Sequence, residues 1–219
     1  MISDENDRIL LLSFFVRKSR GLPLAVFVCS GIRRAADENF EAALCRFFVN
    51  DWSEHMNENA EKYMREAIKQ AKLAARKGEV PVGAVIVRDG EIIARAYNTR
   101  ETGKNALCHA EIKAIHRACR KLGGWRLPGC ELYVTLEPCP MCAGAIVNAR
   151  IVSVYYGAYD KKAGAFGTLF DMNGFGLNHK PEIHPGILEE DCAGLLSSFF
   201  ADLRKKQKLR AISKNQEKN

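Results

Sequence analysis

Asp89-Gly90, set between the runs Val82 to Val87 and Glu91 to Tyr97, does more than any other pair to narrow the folds open to this chain. Both flanking runs are rich in β-forming residues, and Asp-Gly between two such runs favours the tight turn of an antiparallel hairpin. Helices and strands alternate after it. A helical pattern runs from Cys108 to Leu122 and stops at Gly123-Gly124. Leu132 to Leu136 reads as a buried strand, Cys139 to Arg150 as a short helix entered through Pro138, and Ile151 to Tyr156 as another strand. A Gly-rich loop follows over residues 157–176, and Ile183 is the centre of a weak last strand. Ahead of the hairpin, Met64, Ala67, Ile68, Ala71 and Ala75 recur at helical spacing, with a stop at Gly78. In the last segment Leu188, Cys192, Leu195, Leu196, Phe199 and Leu203 line one helical face. One hairpin followed by alternating helices and strands predicts a layered α/β domain around a mixed sheet.

Residues 1–56 have no such regularity, and they are expected to be an extension outside the fold, with translation naturally starting at Met56. The domain is expected over residues 57–203 and a basic tail over 204–219. That tail carries Arg204, Lys205, Lys206, Lys208, Arg210, Lys214 and Lys218 against the single acid Glu217. Most of the formal net charge of +7 therefore sits there, which suits attraction to a polyanion such as nucleic acid or, equally, a solvated chain end.

A chain with 47% hydrophobic and 27% charged residues is not disordered as a whole. Its eight cysteines lack a secretory context: the N-terminus opens with Asp4, Glu5 and Asp7 where a leader would be basic. The apolar runs 9–16 and 22–29 are too short to cross a bilayer and are separated by Arg17, Lys18 and Arg20. A reduced, cytoplasmic protein with no membrane partner is expected, its thiols serving in packing or as metal ligands.

Two short segments carry the chemistry. Cys108-His109-Ala110-Glu111 opens one helix, and Glu137-Pro138-Cys139-Pro140-Met141-Cys142 lies at a strand-to-helix turn. His109, Cys139 and Cys142 supply three ligands for a tetrahedral zinc and leave the fourth position to water, which is the catalytic rather than the structural arrangement. Two helix N-termini aimed at one point favour thiolates and a bound hydroxide. Zinc with two thiolates is formally neutral and acidifies its water only moderately, so a neighbouring carboxylate is needed, and Glu111 stands two residues beyond His109. One carboxyl serving as base and then as acid suits hydrolytic removal of an amino group from a heterocycle. Cys-x-x-Cys alone also fits a redox pair, half of a structural zinc site, or two core cysteines. A redox pair leaves His-x-Glu unexplained, and a structural site wants a fourth Cys or His.

The pattern His109-Ala110-Glu111 with Pro138-Cys139-Pro140-Met141-Cys142 resembles the zinc-dependent nucleobase deaminases. Within them the chain is most similar to the bacterial tRNA-specific adenosine deaminases, over about residues 60–205. The resemblance is carried further by Glu79-Val80-Pro81-Val82-Gly83-Ala84-Val85, Tyr97-Asn98, Thr135-Leu136-Glu137, Ala143-Gly144-Ala145, Gly157-Ala158-Tyr159-Asp160 and Asn178-His179. It implies a cytidine-deaminase-like three-layer α/β/α fold with a mixed central sheet of about five strands. It implies one Zn2+ per subunit on His109, Cys139 and Cys142, with Glu111 as proton shuttle. Asn98 then matches the residue that holds the target nucleoside, Asp160 lies in the loop that approaches the flanking nucleotides, and Phe199-Phe200 matches an aromatic pair near the RNA. Phe199 also belongs to the apolar stripe, so packing is as good an account of it. The implied reaction is adenosine to inosine at the wobble position of an arginine tRNA, by a homodimer. Cys108 before His109 and the extension 1–56 depart from the family pattern. Two alternatives remain open: a deaminase of a free nucleoside, nucleotide or base, and a zinc-stabilised RNA-binding subunit without activity, which would have no need of Glu111.

Overall fold

A computed structural model describes residues 59–216 of the protein. They begin in helix α1, residues 59–76. The hairpin strands β1 (Gly83–Arg88) and β2 (Glu91–Tyr97) follow. Next come α2 (Ala110–Leu122), β3 (Cys130–Leu136), α3 (Pro140–Ala149) and β4 (Ser153–Ala158). A single 3-10 turn at Met172–Gly174, β5 (Glu182–His184) and the long α4 (Glu189–Gln216) complete the order.

Five strands form one sheet in the order β2-β1-β3-β4-β5. β1 runs antiparallel to β2 and β3, whereas β4 runs parallel to β3 and β5, so the sheet is mixed as expected. The hairpin turn has positive φ at both central residues, Asp89 (51°) and Gly90 (79°). That is the turn whose twist matches the flanking strands, and it explains why Asp-Gly stands there.

Alternation along the strands builds two cores. Ala84, Ile86, Leu132, Val134, Val154 and Tyr156 face one way and pack with Ala110, Ala114, Ala118, Ala143 and Ile146 of α2 and α3. Val85, Val87, Tyr133 and Tyr155 face the other way and pack with Tyr63, Met64, Ala67 and Ile68 of α1 and Cys192 of α4. The result is three layers, α/β/α. On the α1/α4 face, Tyr133 stacks on Tyr155 and Tyr155 on His184, each pair 4.4 Å apart between ring centroids, so one aromatic row ties β3, β4 and β5. Gly83 lets β1 meet α1: a Cβ there would press against the Ala67 carbonyl oxygen and the Ala71 amide.

β1, β3 and α3 shift by one or two residues from the sequence reading, and other differences have a local reason. α2 begins at Ala110 rather than Cys108, because His109 is its N-cap in extended conformation. β4 covers Ser153–Ala158 rather than Ile151 to Tyr156. Arg150 turns into the left-handed region (φ 63°) to end α3, and the Ile151 amide bonds back to the Ile146 carbonyl, so Ile151 is used in leaving the helix. Leu203 is not core: it is 40% exposed. α4 spans roughly 42 Å at 1.5 Å per residue and continues as helix to Gln216, through most of the basic stretch expected to form a tail. The extension 1–56 and its proposed start at Met56 lie outside the described residues. Among the described residues no helix is long and apolar enough to cross a membrane.

Candidate metal centre and active site

Two chain crossings bring the chemical residues together. β2 leads through a loop to His109, the N-cap of α2, and β3 leads through Glu137-Pro138 to Cys139, the N-cap of α3, with Pro140 in the first helical position. The His109 side chain makes no capping bond to its own helix, and the Cys139 thiol faces Cys142 in the first turn of α3. The His109 and Cys139 side chains turn toward each other. His109 Nδ1 lies 3.6 Å from Cys139 Sγ and 3.5 Å from Cys142 Sγ, although His109 and Cys139 are 30 residues apart in sequence. The three ligand atoms all fall within 4.8 Å of one another. A tetrahedral zinc with Zn–S near 2.3 Å and Zn–N near 2.0–2.1 Å requires S···N separations of about 3.5–3.6 Å, so the observed triangle fits the ion.

The electrostatics agree. A hydrogen bond with Cys142 brings the Cys139 thiol down to about 4 against its burial, with His109 adding to the effect. The same Cys139–Cys142 bond, with burial, pushes the Cys142 thiol well up. The bond to Cys139 raises His109. A second negative sulfur beside the first would need a cation between them, which a divalent metal would supply.

Glu111 sits in the first turn of α2 and is only 4% exposed. Burial raises its pKa, and its Oε2 has no partner within the protein. Asn98 is similar: it is 5% exposed and its Oδ1 is unpartnered, while its Nδ2 donates to Glu79 Oε2 (3.4 Å) and the Val80 carbonyl (3.5 Å). The Thr99 amide donates to the Cys108 carbonyl at 3.0 Å, which fastens the Asn98 strand end to the residue ahead of His109. Two buried oxygens without protein partners therefore lie close in sequence to His109, each left for a partner from outside the protein.

Asp160 is joined to the same region through its backbone. Its amide donates to Glu137 Oε2 at 3.1 Å, next to Pro138-Cys139, while its own Oδ1 accepts from the Lys162 and Ala163 amides (2.9 and 3.2 Å). The Asp160 carboxylate thus shapes its loop. Phe199 and Phe200 pack edge to face at 5.5 Å on α4, which belongs to the layer opposite α2 and α3. Phe200 is 40% exposed.

Two carboxylates play parts that the sequence reading did not give them. Glu79 is fully buried and accepts from the Glu101 amide (3.1 Å) and the Thr102 amide (2.6 Å) as well as from Asn98. Glu137, 2% exposed, accepts from the amides of Asp160, Phe166 (3.0 Å) and Thr168 (3.1 Å). Each fixes one of the two loops beside the His109–Cys139–Cys142 cluster. For Glu137 the signal available in sequence was an acid in an otherwise apolar stretch; Glu79, after Arg76-Lys77-Gly78, carried none.

The fold and site have known relatives. Residues 58–204 match the MafB19-like deaminase family. A tRNA-specific adenosine deaminase of Bacillus subtilis is 57% identical over 149 residues, covering 68% of this chain and 92% of the relative. A solved structure from studies of A-to-I editing by tRNA:A34 deaminases at the wobble position of transfer RNA is 44% identical, with a TM-score of 0.58, over 62% of this chain and 99% of that one. A guanine deaminase from Nitrosomonas europaea is 25% identical, with a TM-score of 0.57, over 64% of this chain and 84% of its own.

Proposed function

The chain belongs to the tRNA-specific adenosine deaminases and so converts adenosine to inosine in tRNA; we propose that it does so at the wobble position of an arginine tRNA, with zinc held by His109, Cys139 and Cys142. The observation that carries this reading is the His109–Cys139–Cys142 triangle beside the unpartnered Glu111 Oε2. Zinc, when bound, acidifies the attacking water and stabilises both sulfurs as thiolates. With the metal in place, Glu111 Oε2 would take one proton from the attacking water as its oxygen bonds to the ring carbon and pass that proton to the adjacent ring nitrogen; it would then move the second proton from the added hydroxyl to the amino group, which leaves as ammonia as the C–N bond breaks and the carbonyl forms. Asn98 Oδ1 accepts from the target nucleoside and anchors it, and the loop of Asp160 meets the flanking nucleotides. The target base must leave the anticodon loop to reach the buried carboxylate, which costs less from a single-stranded loop than from a duplex.

The basic end of α4 supplies phosphate contacts, with Phe200 available for stacking on RNA. Exposed Leu169, Phe175 and Leu177 support assembly as a homodimer, which sedimentation would read directly. A tRNA substrate puts the enzyme in the cytoplasm.

The likeness to a guanine deaminase favours one competing substrate class, free bases. Zinc-loaded protein is incubated with an arginine tRNA carrying A at the wobble position and, separately, with free adenosine, cytidine and guanine. Inosine in the tRNA alone is the expected result. Turnover of the free compounds alone would transfer the activity to that second class. Absence of all turnover would leave a non-catalytic RNA-binding subunit, for which the buried Glu111 has no use.

A further inference from the structure

Tyr97 is the last residue of β2, an edge strand, and immediately precedes Asn98. Cations reach its ring from both helix layers. Lys77, just past the end of α1, donates from Nζ to the Tyr97 hydroxyl at 2.6 Å and lies 5.0 Å from the ring centroid. Lys113 of α2, on the opposite side of the sheet, is also 5.0 Å from that centroid and donates to Thr99 Oγ1 at 2.8 Å. Arg117 stands one turn further along α2 and donates to the Arg95 carbonyl.

Among the described residues, no carboxylate lies within 4.0 Å of the charged nitrogens of Lys77, Lys113 or Arg117. The acids nearby are already engaged: Glu66 with Lys69 and Arg95, Glu101 with Arg100, and Glu79 with backbone amides. Like charges held together without an anion repel one another, and the Tyr97 ring offsets only part of that repulsion. Burial and the charge of Arg117 both lower the Lys113 pKa, and the bond from Lys77 lowers that of Tyr97. Lys77 and Arg117 are exposed and Lys113 is half-buried, so the cluster is open to a ligand.

Its position fits the reaction. Lys113 is one helical turn from His109, whose carbonyl accepts its amide, and its side chain grips the residue after Asn98. The geometry points to an anion subsite at which Lys77, Lys113 and Arg117 around Tyr97 hold a backbone phosphodiester of the RNA strand beside the target nucleoside. This rests on the proposed action on tRNA. It differs from the basic stretch of α4, which lies on another element. Contacts of this kind position the strand and carry no base preference, so the subsite fixes where the strand enters while the buried pocket selects the base.

The test measures binding of a tRNA anticodon stem-loop to the full-length protein across a salt series, separately from turnover. Each phosphate contact on a single strand contributes about 0.7 to the slope of log affinity against log salt. The double variant Lys77→Gln/Lys113→Gln should lose affinity at low salt on every RNA sequence alike and flatten the slope by about 0.7, the share of the one phosphate. The Lys77→Arg/Lys113→Arg variant keeps the charge and should keep the slope, which separates charge from shape. Lys72→Gln, an exposed α1 lysine outside the cluster, controls for net charge. An unchanged slope in the double Gln variant, or an equal change in Lys72→Gln, overturns the subsite. Lack of deamination would count against the proposed function alone, because the slope is read without turnover.

Discussion

Asn98 donates from Nδ2 to Glu79 Oε2, and that bond decides which end of the asparagine amide is left free: the oxygen. The same buried carboxylate accepts the amides of Glu101 and Thr102, so one side chain holds Asn98 and the loop after it. Glu79→Ala would take the acceptor from both amides and free Asn98 to turn over. The amides belong to exposed residues, where water can replace part of the loss, so the variant should lose about 1–3 kcal/mol, the cost of one unsatisfied buried group. At roughly 2–4 °C per kcal/mol for a chain of this size, thermal unfolding should fall by roughly 2–12 °C, and turnover should fall with it. A variant that melts like the parent would show that Glu79 clamps nothing.

The same carboxylate gives a pH signature. Burial works to raise the Glu79 pKa, but the Thr102 and Glu101 amides and the Arg100 charge outweigh it and hold Glu79 below its ordinary value. A group depressed in the folded state contributes stability above its unfolded pKa, near 4.3, and that stability is lost as pH falls toward the folded value. Glu79→Gln has no such proton to gain. The gap in melting temperature between parent and Glu79→Gln should therefore be constant near neutrality and narrow below about pH 4.3. A gap that stays constant into acid would contradict the depressed pKa.

Metal binding and proton transfer should separate cleanly by mutation. Glu111→Ala removes no ligand of the triangle, so zinc stoichiometry should stay at one per chain while turnover drops by at least about 1,000-fold. Cys139→Ala removes a ligand and should lose both metal and stability. Chelation should lower the melting temperature of the parent protein and leave that of Cys139→Ala unmoved. Activity surviving in Glu111→Ala would remove the proton-shuttle role.

Local rules made much of this legible in sequence, and long-range accommodation hid the rest. Asp89-Gly90 announced its turn because two positive φ values are demanded within two residues. His109, Cys139 and Cys142 stood out because few structures other than a metal site account for those residue types at that spacing. Glu79 and Glu137 were visible as letters without roles, since their partners are backbone amides 22 to 31 positions away and amides leave no mark in sequence. Leu203 misled because helical periodicity records which face a residue is on, not where the underlying sheet ends.

The loop of Asp160 should prove sensitive at Gly164. A Cβ there would press into the Glu137 carboxylate and lie 2.7 Å from the Asp160 carbonyl oxygen, so either the acid or the loop must move. Crowding of this kind typically costs about 1–3 kcal/mol. Because Glu137 carries the loop on three amides, Gly164→Ala should raise KM for tRNA while zinc content remains at the parental level. Unchanged KM would dissociate this loop from substrate binding.

Removal of residues 204–219 tests how far the basic end of α4 serves RNA rather than the fold. Residues 204–210 are exposed, and the part of α4 that packs on the sheet lies earlier, at Cys192, Leu195 and Leu196. The truncated protein should therefore melt within a few degrees of the parent, since surface residues away from packing usually contribute within about 0.5 kcal/mol each. Its RNA affinity should fall, and the dependence of that affinity on salt should become shallower, because each lost phosphate contact lowers the slope. If affinity and slope both survive truncation, the charge at the end of α4 is solvated and the strand is held by the body of the domain alone.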